Sequence, residues 1–322
     1  MTPRASVIIA SERVDGSLRD TLASLASQEG APVFEVLVAS SRRPEIAGLP
    51  FPMRWVDVPS ANPAARRNRA AAAAQGEALA FLDDDAVAEP PWLARGVAAL
   101  ARCEIAGGPD PGPPEAPYGE RLADLLLATP WIGSGIPAHE HRPRGGPVRF
   151  AHDLALCNLF VRRDVFEALG GFDETLGYIG EDTDFVRRAL DVGLRAELDP
   201  AVRVRHRRRA FPRKYLAQRW RYRVKTGRLL IRRPGLHARG KIAAFLAAAF
   251  LASAGLLGFG APFLLGGAGA YALATWILSA PIWSRDPALF PAVPAAFALH
   301  HAAYLGGLLV GMARGALTEA AR

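Results

Sequence analysis

Short apolar runs alternate with helical patterns along the N-terminal part of the chain. The runs at 6–10 and 34–39 are rich in β-branched and other apolar residues and predict two strands. Between them, Leu18, Leu22 and Leu25 recur with the spacing of one helix face. Strand, helix and strand in this order form a βαβ unit, which predicts a parallel sheet with helices on its faces.

The same alternation continues to about residue 204. Pro63 fits the first turn of a helix that Gly76 ends. The Pro/Gly-rich stretch 107–117 and the segment 130–147 predict loops, in which His139 and His141 are more simply explained as exposed than as metal ligands. Further strands are predicted at 53–58, 78–82, 154–161 and 202–204, and further helices at 64–75, 92–103, 122–128, 164–169 and 183–192.

Three consecutive carboxylates, Asp83, Asp84 and Asp85, follow the strand predicted at 78–82. Ligands of open α/β sheets bind outside the carboxyl ends of the strands. Adjacent carboxylates repel one another unless a cation or solvent neutralises them, so a divalent metal that carries a phosphate is a natural partner. An acidic surface turn is the alternative for the triplet taken alone.

A second acidic cluster occupies 171–185, GFDETLGYIGEDTDF. Glu181 and Asp182 stand at the start of the helix predicted at 183–192. A carboxylate here can take a proton from a reacting hydroxyl. Asp182 or Asp184 can also simply cap the helix, so the structural alternative stays open at this point.

The hydrophobic content is 50% and the mean hydropathy +0.10, which is high for a soluble protein. The run 242–284 contains no Asp, Glu, Lys or Arg and is long enough for two membrane spans, with a break at 258–262. A second uncharged run, 287–313, predicts a third span. Part of the hydrophobic content is therefore explained by a membrane and not by a core.

The formal net charge of +8 is concentrated in the basic block 203–233. Basic residues beside a membrane segment mark its cytoplasmic side and bind anionic lipid. Nucleic-acid binding would leave the hydrophobic tail unexplained, so no nucleic-acid partner is expected. Cys103 and Cys157 lack metal-ligand spacing, which favours reduced thiols in a cytosol-facing domain, and the apolar run at 6–10 is too short for a secretory signal.

In this order and spacing, the motifs resemble glycosyltransferase family 2 over about residues 6–227. They are SVIIA at 6–10, RRN at 66–68, GEALAFLDDDA at 76–86, CNLFVRR at 157–163, GGFDE at 170–174 and GEDTDF at 180–185. The resemblance implies an inverting transferase with an α/β GT-A fold, a Rossmann-like mixed sheet that binds nucleotide-diphospho-sugars, followed by transmembrane helices. The tail motif His301, Tyr304 and Gly307 resembles succinoglycan-type enzymes that extend lipid-linked saccharides.

The resemblance also implies residue roles. Asp182 is the expected catalytic base with Glu181 beside it, and Asp83 and Asp85 are expected to bind Mg²⁺ or Mn²⁺. For Arg67 the alternative is a solvent-exposed position on the helix face. For His206 a role without ligand contact stays open, because it is a lone histidine among arginines. The expected donor-binding residues are Arg67, Asn68, Asp83, Asp84 and Glu12, the acceptor-binding residues Asn158, Gly171, Phe172 and Asp173, and the diphosphate-binding residues His206 and Arg219.

Two departures from the family's pattern concern the nucleobase. Family members usually carry one or two acids after the second strand, whereas this chain reads LVASS at 37–41. The usual Pro-Thr-x-Asn after the first strand is replaced by ASER at 10–13, in which Glu12 is a candidate substitute. Base recognition is therefore open, and these departures bear on a uridine nucleotide more than on the reaction.

The sequence thus predicts a membrane-anchored hexosyltransferase with a nucleotide-sugar donor and a lipid-linked or polyprenyl acceptor. The predicted organisation is a GT-A catalytic domain at 1–210, a basic interfacial segment at 211–240, two or three transmembrane helices at 241–313 and a tail at 314–322. The catalytic domain would face the cytoplasm from the inner membrane, in contact with membrane lipids. The alternative is a catalytically inactive GT-A-like binding or scaffold protein.

Overall fold

The computed structural model describes residues 3–12, 16–176, 179–232 and 261–320 of the chain. It divides into two compact units. The first comprises Met1–Pro113 and Ile136–Arg207, and the second comprises Pro114–Gly135 and Arg208–Arg322. The segment 114–135 therefore belongs with the C-terminal part of the chain, although it interrupts the first unit in sequence.

The first unit is built on a mixed β-sheet. In chain order the strands are β1 (Ala5–Ala10), β2 (Phe34–Ser40), β3 (Met53–Asp57), β4 (Ala78–Asp83), β5 (Ala86–Ala88), β6 (Ile105–Gly107), β7 (Gly146–Pro147), β8 (Asn158–Arg162), β9 (Ala196–Leu198) and β10 (Val204–His206). Eight of them form one sheet in the order β3-β2-β1-β4-β8-β6-β9-β7, and β5 pairs with β10. Strands β1 to β4 run parallel, and β8 runs antiparallel to both β4 and β6.

Among the described residues, the first unit contains five α-helices besides this sheet, and the second unit contains four. The first unit contains α1 (Gly16–Ala26), α2 (Pro63–Ala73), α3 (Trp92–Ala99), α5 (Arg163–Ala168) and α6 (Glu181–Asp191), and the second contains α4 (Tyr118–Ala128), α7 (Arg213–Arg232), α8 (Ala261–Trp283) and α9 (Val293–Ala320). The predicted βαβ unit is confirmed, because α1 connects β1 to the parallel neighbour β2. At the start of α2, the Asn62 side chain accepts the N–H of Ala64 at 3.0 Å, and Pro63 follows the cap.

Both faces of the central strands are buried, which explains their nearly unbroken apolar sequences. Along β1, Ile8 packs into a cluster on one face of the sheet, while Val7 and Ile9 pack into a cluster on the other. The second cluster includes the helical leucines Leu18, Leu22 and Leu25, as well as Trp92. The first includes Phe81, Phe166, Phe172 and Phe185. This core holds the carboxyl ends of β1 and β4 side by side.

The structure corrects the predicted strand boundaries at two places. The strand predicted at 154–161 begins only at Asn158, and the strand predicted at 202–204 is β10, Val204–His206. Pairing of His206 with Ala86 places the end of β10 next to the acidic triplet. The strands β5, β6, β7 and β9 were not predicted, because two or three residues are too few to show a period.

In the second unit, helices α7 and α9 run in the same direction with their backbones in contact. Gly307, Gly311 and Gly315 recur every four residues and form one stripe on α9, which packs on Trp220, Val224 and Ile231 of α7. A Cβ at Gly307 would lie 2.8 Å from the carbonyl oxygen of Trp220, so glycine permits this approach.

The tail motif residues belong to the interior of this second unit. His301 forms side-chain hydrogen bonds with the hydroxyl of Tyr271 at 2.8 Å and with the carbonyl of Ile132 at 2.7 Å. The Arg223 guanidinium lies 4.0 Å from the centre of the Tyr304 ring. The motif therefore has a packing role in the structure.

Two segments in the described part of the second unit are long and apolar enough to cross a membrane, judged by length and composition. They are Leu265–Trp283, with a mean hydropathy of 1.3, and Pro287–Thr318, with 1.4. The apolar C-terminal helices predicted from the sequence are confirmed in this sense. The first predicted span lies mostly within 233–260, outside the described residues.

Candidate active site

The acidic triplet lies where the sequence analysis placed it, at the carboxyl end of β4. Each carboxylate has a different partner. Asp83 Oδ1 accepts a hydrogen bond from Arg67 Nη2 at 2.8 Å, and Asp84 Oδ2 accepts one from Ser11 Oγ at 2.6 Å. Asp85 Oδ1 lies 2.9 Å from His206 Nε2. Each partner comes from a different element, since Ser11 follows β1, Arg67 lies in α2 and His206 ends β10. The three carboxylates are therefore positioned independently of one another.

Arg67 connects the triplet to the second acidic cluster. The Arg67 side chain is 8% exposed, and the second guanidinium nitrogen, Nη1, donates to Glu181 Oε1 at 3.2 Å. Burial alone would lower the pKa of Arg67, but Asp83 and Glu181 raise it above its ordinary value. The cation is thus permanently charged, and the two acidic clusters share it. The alternative considered for Arg67, a solvent-exposed position on the helix, is wrong because the side chain is buried and paired with both acids.

Glu181 and Asp182 are the first two residues of α6. Gly180 precedes them with φ +90°, a left-handed conformation that glycine adopts readily. Asp182 Oδ1 accepts the N–H of Thr183 at 2.7 Å. Burial raises the pKa of Asp182, although Thr183 and Arg67 act in the opposite direction.

Asp184 differs from its neighbour Asp182. Its side chain is 4% exposed and forms ion pairs with Arg188 at 2.7 Å and Arg187 at 3.3 Å. These i,i+4 and i,i+3 pairs stabilise α6 internally. Asp184 therefore has a structural role, and Asp182 is the carboxylate of this pair that remains a candidate base.

A buried carboxylate, Asp110, supports His206 from the side opposite Asp85. Asp110 is fully buried, and its Oδ2 lies 3.7 Å from His206 Nδ1 and 3.0 Å from the Cys157 thiol, which donates to it. Its Oδ1 lies 2.8 Å from His139 Nδ1. Burial by itself would lower the pKa of His206, but the carboxylates of Asp85 and Asp110 raise it well above its ordinary value. The histidine is therefore held between two carboxylates.

Three of these features were missed by the sequence interpretation. Asp110 is a single acid in the Pro/Gly-rich stretch 107–117, with no spacing that relates it to another polar residue. The exposed setting expected for His139 is wrong, because its side chain is 14% exposed and bound to Asp110. Cys157, to which no role was given, is buried in the same cluster.

Two groups of side chains in the described residues have the donor atoms for a metal ion. The donor atoms of Asp83, Asp85 and His206 all lie within 4.8 Å of one another, and so do those of Asp110, Cys157 and His206. Two carboxylates and an imidazole fit a divalent cation that accepts oxygen and nitrogen, such as Mn²⁺, better than they fit Mg²⁺. The first group could therefore hold the metal predicted from the triplet.

Asn68 has a structural role that its motif did not reveal. Its Oδ1 accepts the N–H of Phe172 at 2.9 Å, and its Nδ2 donates to the carbonyl of Phe172 at 2.8 Å and to Glu174 Oε1 at 3.0 Å. Gly171 has φ +69°, and a Cβ there would lie 2.8 Å from Asn68 Oδ1. The expected donor residue Asn68 thus fixes the turn that contains the expected acceptor residues Gly171 and Phe172.

The remaining expected acceptor residues are also engaged within the protein. Phe172 is 2% exposed and its ring packs edge-on against Phe81. Asp173 Oδ1 accepts the N–H of Thr175 at 2.9 Å. Asn158 is fully buried, and its amide is hydrogen-bonded to Trp92 Nε1 at 2.8 Å and to the carbonyl of Val202 at 2.7 Å. Phe172 and Asn158 are therefore buried in the core.

Arg219, expected at the diphosphate, belongs to the second unit. It is 9% exposed and stacks between two aromatic rings of α7, 5.6 Å from the centre of Tyr215 and 5.0 Å from that of Tyr222. Cation–π contacts of this kind stabilise a buried arginine without a carboxylate. The structure thus gives Arg219 a packing role within α7.

A cavity of about 610 Å³ opens at the carboxyl ends of β1 and β2. Glu12, one of the expected donor-binding residues, is among its lining residues. Arg66, which the sequence interpretation did not select as a binding residue, also lines it. The full lining is Glu12, Ser41, Arg42, Pro59, Ser60, Ala61 and Arg66.

Comparison with known proteins shows what the N-terminal part of the chain is similar to. Residues 6–115 match the sequence model of glycosyl transferase family 2. This segment contains β1, α2 and the acidic triplet, and over it the chain is similar to that family. The resemblance inferred from the motifs is therefore confirmed.

Two curated relatives are similar to a larger part of the chain. The O-antigen biosynthesis protein RfbC of Myxococcus xanthus is 32% identical over 228 residues, which cover 64% of this chain and 17% of the relative. The succinoglycan biosynthesis protein ExoM of Rhizobium meliloti is 34% identical over 165 residues, which cover 50% of this chain and 48% of the relative. The chain thus spans less than half the length of either relative.

A solved structure agrees on the fold. The mannosyltransferase PcManGT from Pyrobaculum calidifontis, in complex with GDP-Man and Mn²⁺, aligns with a TM-score of 0.54 at 22% identity. The alignment covers 94% of this chain and 87% of that one. The mixed sheet of the first unit is accordingly a GT-A fold, as predicted.

Proposed function

We propose that the protein is an inverting glycosyltransferase that moves a hexose from a nucleotide-diphosphate sugar to a lipid-linked or polyprenyl saccharide. The observation that carries the proposal is the meeting of the two acidic clusters at Arg67, which binds Asp83 with one arm and Glu181 with the other. A single displacement needs a group that holds the leaving diphosphate and a base for the incoming hydroxyl within one cleft. Arg67 brings both kinds of group together.

On the donor side, Asp83, Asp85 and His206 would hold Mn²⁺ or Mg²⁺. When bound, the metal neutralises charge on the departing diphosphate. The chain's own residues fix this donor set from behind. Arg67 orients Asp83, and Asp110 holds the His206 ring with its Nε2 toward Asp85. Such outer contacts keep ligand atoms in place before the cation arrives.

On the acceptor side, Asp182 would act as the base. It takes the proton of the acceptor hydroxyl while the hydroxyl oxygen bonds to the anomeric carbon and the bond from that carbon to the diphosphate breaks. Attack opposite the leaving group inverts the configuration and needs no covalent nucleophile. The raised pKa of Asp182 makes it a better proton acceptor than a solvated aspartate.

The relatives support a role in polysaccharide assembly, since two of them are named for O-antigen and succinoglycan biosynthesis. We propose that residues 1–210 carry catalysis and that helices within 241–313 attach the protein to the inner membrane, with the catalytic domain on the cytoplasmic side. The basic segment 211–240 would lie at anionic headgroups, and the tail 314–322 would follow the last helix. In support, α7 exposes Arg213, Lys214, Arg221 and Arg228.

The test uses the full chain in detergent with a panel of nucleotide sugars. We expect metal-dependent donor binding and slow release of nucleoside diphosphate, with water as the acceptor. Asp182→Asn should abolish release and spare donor binding, whereas Asp191→Asn, an exposed carboxylate on the same helix, should change neither. Normal turnover by Asp182→Asn would refute the base assignment. No metal-dependent stabilisation by any donor would favour a non-catalytic GT-A shell.

A further inference from the structure

Arg66 is a buried cation in the described part of the chain for which no carboxylate partner is described. The residue is 5% exposed and lies in the second turn of α2. Its Nε is buried without a hydrogen-bond partner among the described residues. The adjacent Arg67 shows the contrast, because its guanidinium binds two carboxylates. A buried charge without a partner is unfavourable, so this position is expected to gain an acceptor from a ligand.

The cavity of about 610 Å³ beside Arg66 also contains a carboxylate, Glu12. Glu12 is exposed, and no ion pair between Glu12 and Arg66 is described although both line the same space. Glu12 follows β1, and Arg66 stands behind the capped N-terminus of α2. The cavity also contains Arg42, whose side chain is exposed. It therefore offers a ligand one buried cationic fork, Arg66, and one carboxylate, Glu12, between which no ion pair is described.

We propose that this cavity binds guanine, which makes the donor of the proposed transfer a guanosine-diphosphate sugar. Guanine presents two adjacent acceptors, N7 and O6, and an arginine fork binds this pair with two hydrogen bonds. On another edge it presents two adjacent donors, N1–H and the 2-amino group, which match the two oxygens of a carboxylate. The Arg66 guanidinium takes the first edge and the Glu12 carboxylate takes the second.

The other common bases match this pair of side chains less well. Uracil has one N–H donor between two carbonyls, so a carboxylate gains a single hydrogen bond. Adenine and cytosine place an amino donor beside a ring acceptor, and the acceptor would face a carboxylate oxygen with the wrong polarity. The size of the cavity also suits a purine nucleoside, since small-molecule sites typically measure about 300–1,000 Å³. This inference rests on the proposed function, because it assumes that a nucleotide sugar is the ligand.

The experiment measures binding of GDP, UDP, ADP and CDP to the full chain in detergent with Mn²⁺, by calorimetry. We expect GDP to bind about tenfold more tightly than the other three. Arg66→Gln and Glu12→Gln should each weaken GDP binding about tenfold while changing UDP binding much less. Arg69→Gln removes an exposed arginine from the same helix and should leave all four affinities unchanged.

The outcomes separate this inference from the proposed function. Binding of another nucleotide in preference to GDP, with metal dependence, would overturn the guanine assignment and leave the transferase proposal in place. Preference for GDP that survives both Arg66→Gln and Glu12→Gln would overturn the assignment of the cavity. Absence of binding by all four nucleotides would refute both proposals. Glu12→Gln keeps the test valid if Arg66→Gln folds poorly, because Glu12 is exposed.

Discussion

Replacing Arg67 by methionine tests whether one guanidinium holds the two acidic clusters together. Methionine keeps the apolar stem and removes the charge, so the substitution leaves Glu181 and Asp83 without their shared partner. Removing one member of a buried ion pair costs about 3–5 kcal/mol, because a charge stays buried and unpaired. The Glu181 side chain is 6% exposed, but that of Asp83 is 29% exposed and can regain water.

These exposures place the expected loss near the lower limit, about 3 kcal/mol. For a unit of this size, each kcal/mol shifts the midpoint of thermal unfolding by about 2–4 °C, so Arg67→Met should lower Tm by about 6–12 °C. The assay is thermal unfolding of the full chain in detergent, followed by tryptophan fluorescence. Adding Glu181→Gln to Arg67→Met should restore most of the loss, since the second change removes the unpaired charge.

The matched control is Arg162→Met. Arg162 is also paired with a carboxylate, Asp164, at 2.7 Å, but the two side chains are 46% and 65% exposed. Exposed pairs contribute little, so this variant should shift Tm by less than about 2 °C. Equal shifts for the two arginines, or no recovery in the double variant, would show that Arg67 does not neutralise a buried Glu181.

Further predictions concern the base, the metal and the turn behind Asn68. Because burial raises the pKa of Asp182, turnover should fall, as the pH is lowered, at a higher pH than with an ordinary aspartate as base. Asp182→Asn should raise Tm at pH 7–8, where the wild type carries an unfavourable, partly buried charge. An unchanged or lower Tm would contradict this reasoning. Asp110→Asn should weaken Mn²⁺ binding, measured by EPR, by about 10–100-fold, and unaltered affinity would argue against support of His206. Gly171→Ala should lower Tm more than Gly170→Ala. Both glycines have a left-handed φ near +70°, but only at Gly171 would the added Cβ meet the Asn68 side chain. Equal decreases in Tm would show that this contact does not matter.

The sequence predicted the parts of the fold in which local pattern and burial agree. Strands β1, β2 and β4 are buried on both faces, so each appears in the sequence as a nearly continuous apolar segment. The leucines of α1 repeat with the helical period. The strand β6 has only three residues, Ile105–Gly107, and exists because β8 and β9 lie on either side of it. No local pattern encodes such a pairing.

The same distinction applies to the candidate site. Asp83, Arg67 and Glu181 were found because each stands in a motif of recognisable spacing. Asp110 was missed because its importance comes from distant residues, His139 and His206, that the fold brings to it. The sequence of Asn158 and Phe172 suggested ligand contact, but a polar or aromatic side chain in a motif can equally serve the core, and only burial distinguishes the two.

The glycine stripe of α9 limits how much of that helix a bilayer can surround. From Gly307 to Gly315 one side of α9 is in contact with α7, a helix rich in arginine. The stretch before it, 293–305, measures about 20 Å at 1.5 Å per residue, against a hydrocarbon thickness of about 30 Å. Any placement of α9 in a bilayer must therefore also accommodate the arginine-rich helix that lies along its second half.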